Sequence, residues 1–90
     1  MPRYVVKLAD NKYTEWSTIT DSPVCWIMSR RDALKRFGAD RVERADKHGT
    51  SALKELSLMD LIAGNRAGRN EETLALDEII EAYKPKEGGE

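Results

Sequence analysis

The stretch Arg3-Tyr4-Val5-Val6-Lys7-Leu8-Ala9, followed by Asp10-Asn11-Lys12 and then Tyr13-Thr14-Glu15-Trp16-Ser17-Thr18-Ile19, decides the fold class. Two runs rich in β-branched and aromatic residues flank a turn-forming centre, the pattern of an antiparallel β-hairpin. Turn length sets which residues face one another. A three-residue loop of Asp10, Asn11 and Lys12 pairs Lys7 with Glu15 and Val6 with Trp16, whereas a two-residue Asp10-Asn11 loop pairs Val6 with Glu15. The former is preferred, because it gathers Tyr4, Val6, Leu8 and Trp16 on a core face and leaves Arg3, Lys7 and Glu15 on a wetter one.

Outward from the hairpin, Thr20-Asp21-Ser22-Pro23 is a turn-type cluster that ends the second strand. Ser29, with Asp32 three residues on, starts a helix over 30–37 that Gly38 closes. Arg41 to Asp46 alternates weakly around Val42, so a third strand is expected there, turning at Lys47-His48-Gly49 toward a neighbour at Thr50 to Leu53. Ser57-Leu58-Met59-Asp60 reads as a variant capping box opening a helix that stops near Gly64-Asn65; a start at Ser51 is the alternative. Asn65 to Asn70 reads as an exposed loop. Leu76, Ile79, Ile80 and Tyr83 fall at i, i+3, i+4 and i+7 opposite Asp77, Glu78 and Glu81, an amphipathic helix that Pro85 ends.

The expected architecture is therefore α+β. The N-terminal hairpin belongs to a small antiparallel sheet, with about three short helices packed on one face. Residues 1–85 form a single domain, and 86–90 are a flexible tail with nothing to bury. Leu34, Phe37, Leu61, Ile62, Leu76, Ile79, Ile80 and Tyr83 should meet Tyr4, Val6, Leu8 and Trp16. That core is thin but adequate for 90 residues, and a homodimer would bury more.

Composition narrows the function classes. Apolar residues make up 40% and charged residues 34% of the chain, which suits a folded domain, and a net charge of -1 favours neither a nucleic-acid coat nor a membrane surface. No apolar run approaches the roughly 20 residues of a membrane span, so a cytosolic location is expected. A single cysteine, Cys25, and a single histidine, His48, exclude an intramolecular disulfide and a closed Cys/His zinc site. Cys25, between Val24 and Trp26, reads as a small buried hydrophobe. Glu71/Glu72 and Asp77/Glu78 are adjacent pairs that point in different directions, and no glycine-rich phosphate loop is present. No catalytic residue, metal or cofactor is expected, and the chain reads as a non-enzyme.

Three binding constellations remain. Trp26, with Ile27 and Met28 beside it and Arg30 and Arg31 following, suits an exposed patch that anchors a partner protein. A second reading is a DNA or RNA surface. Residues 1–49 carry ten Lys and Arg against seven Asp and Glu, residues 50–90 five against nine, and Arg30, Arg31, Arg36, Arg41, Arg44 and Arg66 could follow a phosphate backbone. Asp32, Asp40, Glu43 and Asp46 interrupt that cluster. The third and weakest is a small anion held by Asn65, Arg66, Gly68 and Arg69, if the loop amides converge.

The hairpin, the Ser22-Pro23-Val24 turn, Met28-Ser29-Arg30-Arg31-Asp32 and the loop Ala63-Gly64-Asn65-Arg66-Ala67-Gly68 together resemble small uncharacterised proteins encoded by phages of actinobacteria. The resemblance spans the chain and includes no catalytic signature. It implies a cytosolic accessory protein, made in an infected host or from a prophage, that works by binding another macromolecule; it implies no site residues.

Overall fold

The computed structural model describes residues 3–52 and 57–84; Leu53 of the expected strand pair, Pro85 and the tail 86–90 lie outside them. The order is β1 (Arg3–Ala9), β2 (Lys12–Ser17), β3 (Ser22–Pro23), α1 (Arg30–Phe37), α2 (Ala39–His48), α3 (Leu58–Ala63), a 3-10 turn (Arg69–Glu71) and α4 (Leu76–Ala82). The strands form one antiparallel sheet in the order β1-β2-β3.

The hairpin forms, but in neither expected register. Asp10 and Asn11 make a two-residue turn with Asn11 at φ 59°, so Ala9 pairs with Lys12. A bulge between Lys7 and Ala9 then sets Lys7 opposite Tyr13, Val6 opposite Thr14, Val5 opposite Glu15 and Tyr4 opposite Trp16. The extra residue on β1 changes the pairing without turning Leu8 away from the side of Val6. Val6, Leu8 and Trp16 are core residues as expected; Tyr4 is only half-buried.

The α+β class holds, with four short helices among the described residues, and these cover both faces of the sheet rather than one. Val6, Leu8 and Trp16 pack with Ile27, with Leu61 and Ile62 of α3 and with Ile79 of α4. Val5 and Tyr13, which point the other way, pack with Ala33 of α1 and with Val42 and Ala45 of α2. Successive strand residues face opposite sides. Val5 and Val6 are both fully buried, so each face needs its own helical cover.

The expected third strand at Arg41 to Asp46 is helix α2. Val42 and Ala45 are three residues apart and both buried, a helical rather than a strand repeat. Gly38 at φ 93° turns the chain out of α1 straight into α2, and Gly49 at φ 86° ends α2 in the left-handed conformation. Gly49 O then accepts from Lys7 N at 2.9 Å, and Ser51 N donates to Val5 O at 2.9 Å, so 49–51 cover the outer edge of β1. The true third strand is Ser22–Pro23, within the expected turn cluster; a proline is tolerated there because the strand is an edge. Helix α1, its Ser29 cap and the Ser57/Asp60 capping box at α3 stand as expected, as does α4.

Asp46 ties α2 to the hairpin and to α1. The Tyr13 hydroxyl donates to Asp46 Oδ1, Arg30 Nε and Nη2 donate to Oδ2 at 3.1 and 2.7 Å, and Lys7 Nζ lies 4.0 Å away. Burial pushes the carboxyl upward, but the hydrogen bonds from Arg30 and Tyr13 and the charges of Arg30 and Lys7 outweigh it and hold the group below its ordinary value. A depressed carboxylate stabilises the fold above its unfolded value of about 3.9, and that contribution is lost as pH falls through the folded value. Asp46→Asn is therefore expected to be the less stable protein at neutral pH, with the gap to wild type closing below about pH 4. Urea midpoints measured from neutral to acid pH check this; a gap constant with pH would contradict it.

Candidate partner-docking groove beside Trp26

Residues 24–29 leave the sheet as an irregular segment whose backbone is pinned nearly throughout. Val24 N donates to Glu15 O at 2.9 Å, and Thr14 Oγ1 donates to Cys25 O at 2.9 Å. Ile27 N donates to Tyr83 O at 2.8 Å, while Met28 exchanges two backbone bonds with Tyr13 at 2.7 and 2.9 Å. Ser29 Oγ then accepts from Asp32 N and starts α1, and Asn11 Oδ1 accepts from Arg30 N at 2.8 Å, fastening the hairpin tip to the helix. With the backbone held this way, Ile27 turns inward, at 5% exposure, and Trp26 turns outward, at 51%.

Trp26 therefore stands in an open groove of about 900 Å³ between the hairpin tip, the 24–29 segment and α1. Val24, Cys25 and Met28 contribute apolar surface, and Asn11, Lys12, Asp32 and Arg36 form the polar rim. The indole leans on Tyr83 of the C-terminal helical end, ring centroids 6.4 Å apart and tilted by 50°. That contact limits the rotamers of Trp26, so less freedom is lost when something covers it. Cys25 is half-buried, its Sγ 3.3 Å from Thr14 Oγ1.

Of the residues expected to anchor a partner, Trp26 is exposed, Met28 is half-buried at the groove and Arg31 is exposed. Ile27 is corrected to a core residue, and Arg30 is committed to Asp46. The wider arginine cluster divides. Arg41 Nη2 reaches Glu15 Oε2 at 3.5 Å and Arg3 O at 3.4 Å, and Arg44 Nη1 donates to Ser51 O at 3.3 Å. Arg36 and Arg41 flank the Phe37 ring at 5.8 and 5.5 Å from its centroid. Arg66, on the loop after α3, pairs with Asp21 at 3.1 Å and Glu71 at 2.8 Å.

The expected anion loop is corrected more deeply. Asn65 is fully buried, not exposed. The amides that would have to converge are used inside the protein: Arg66 N donates to Asp21 O, Ala67 N to Asn65 Oδ1 and Gly68 N to Glu72 O. Arg66 is neutralised by two carboxylates, and Arg69 is exposed.

Asn11, Lys12 and Val24 belong to the groove although sequence reasoning passed over them. They lie on the hairpin tip and the edge-strand exit, and the Met28–Tyr13 backbone bonds, the bond from Val24 N to Glu15 O and the bond from Arg30 N to the Asn11 side chain bring them to the groove. Asn11 in a turn was readable from the sequence; its partner nineteen residues away was not. Among the described residues, no helix is long and apolar enough to cross a membrane. No family model, curated protein or solved structure matches the chain, so its function has to be read from this geometry.

Proposed function

We propose that the chain is a non-enzymatic interaction protein, a cytosolic phage accessory protein that docks on a host or phage protein through the groove beside Trp26 and alters its activity. The observation that carries this reading is a tryptophan half exposed on a backbone pinned by hydrogen bonds on both sides of it. Trp is the residue most able to anchor an interface, and a pre-set anchor loses little entropy on binding. Val24 and Met28 extend the apolar surface around it.

The test is capture by a photo-cross-linking side chain at position 24, compared between the wild-type background and Trp26→Ala. Trp26→Ala gives up the Tyr83 contact and the covered half of the indole, so a loss of about 1–2 kcal/mol is expected, a fall of roughly 4–16 °C in the thermal midpoint that leaves the protein folded. Binding of the captured partner should weaken about 30-fold or more, as for a residue contributing roughly 2 kcal/mol at an interface. A partner bound equally well by both forms, or no partner cross-linked by folded protein, would overturn the reading.

A further inference from the structure

Building on that reading of the groove, we infer that its occupant is an acidic peptide segment of the partner carrying one large apolar side chain. The inference starts from which cations the fold neutralises. Arg30 is held by Asp46, Arg41 by Glu15, and Arg66 by Asp21 and Glu71. Lys12, Arg31, Lys35 and Arg36 are all exposed, and among the described residues none of them lies within 4.0 Å of a carboxylate oxygen. Lys12 and Arg36 stand on the groove rim, on the hairpin and on α1 respectively. Arg31 and Lys35, four residues apart, form the stripe of α1 next to that of Asp32 and Arg36.

Of the cations without a carboxylate partner among the described residues, Lys12 and Arg36 stand on the groove rim and Arg31 and Lys35 on the neighbouring stripe of α1, while Arg44, Lys47 and Arg69 lie elsewhere. Among the described residues lining the groove, Asp32 is the opposing carboxylate; Asp10, beside Asn11 at the hairpin tip, is fully exposed, with Lys7 Nζ 4.0 Å away. An apolar floor whose rim carries Lys12 and Arg36 against Asp32, with Arg31 and Lys35 on the adjacent stripe of α1, complements a ligand of reversed pattern, an apolar anchor flanked by Asp and Glu. A nucleic acid fits less well. Val24, Cys25 and Met28 offer apolar surface to a side chain and nothing to a sugar-phosphate chain.

The experiment uses the full chain and a displayed library of random peptides of about ten residues, roughly 33 Å when extended and so close to the 36 Å longest extent of the molecule. Peptides are selected on the wild type and counter-selected on Trp26→Ala. The expected peptides combine one aromatic or large aliphatic residue with two or more acidic ones. Replacing their Asp and Glu by Asn and Gln should weaken binding about tenfold or more, as should Arg36→Glu, while Lys47→Glu on α2 should change it less than about threefold. Arg36 and Lys47 are exposed, and circular dichroism verifies that both variants fold.

Trp26-dependent peptides that are neutral or basic overturn this inference and leave the docking reading standing. The absence of any Trp26-dependent peptide overturns both. A single-stranded oligonucleotide that binds the wild type, displaces the selected peptides and is lost in Arg36→Glu identifies the surface as one for nucleic acid, and also overturns the inference.

Discussion

Replacing Asn65 with Ala is expected to destabilise the protein by about 3–4 kcal/mol and to lower its thermal midpoint by roughly 12–30 °C. The residue is fully buried, and its amide makes four hydrogen bonds. Nδ2 donates to Ile62 O and to Leu74 O, joining the end of α3 to the segment that leads into α4. Oδ1 accepts from Ala67 N at 3.2 Å and Leu74 N at 2.9 Å. Alanine leaves all four backbone groups without that partner, and each buried group left unpaired costs about 1–3 kcal/mol before relaxation. Asn65→Asp keeps the acceptor but replaces both donors and sets a carboxylate against two carbonyls, so it should be at least as damaging. Thermal and urea unfolding of both variants test this. A loss below about 1 kcal/mol for the alanine would show that water replaces the amide and that the loop does not depend on it.

Trp16→Ala is expected to cost about 3–5 kcal/mol, a large part of the roughly 5–13 kcal/mol available to a domain of this length. Trp16 is fully buried at the centre of the cluster formed with Val6, Leu8, Leu61 and Ile79, so truncation opens a cavity bounded by the sheet, α3 and α4. Trp16→Phe separates packing from hydrogen bonding. Among the described residues the Trp16 Nε1 proton meets no acceptor, so phenylalanine removes an unsatisfied donor along with some apolar area. The expected cost of the phenylalanine is therefore only about 1–2 kcal/mol. Equal losses for Ala and Phe in urea unfolding would mean that the indole proton is bonded in solution.

The elements legible in the sequence were those whose signals are local. Ser29 and Gly38 bracket α1, Ser57 and Asp60 cap α3, and the apolar stripe of α4 is read from four side chains over about two turns. Helix α2 was misread because Val42 is its only large apolar residue. Its buried face is completed by Ala45, whose small side chain carries little hydrophobic signal yet lets the helix approach the sheet closely. The strand Ser22–Pro23 was missed because two residues have no periodicity; Trp16 and Ser17 across the sheet make it a strand. For the groove, Trp26 was singled out correctly as the exposed aromatic. Ile27 lines the groove beside it but is almost fully buried, its side chain packed in the core, so it adds little exposed surface.

The sequence by itself determined the α+β class, the hairpin and the ends of three helices, since caps, turns and stripes act over a few residues. The tertiary structure decided the rest: the bulge that shifts the hairpin, helices on both faces, the burial of Asn65, and the division of one arginine cluster into neutralised and free members. These depend on which distant groups meet, as Asp46 meets Arg30 and Tyr13 or Asn65 meets Leu74. A charge or an amide shows its partner only when the chain is folded, because the energy of each lies in a pairing that sequence distance does not encode.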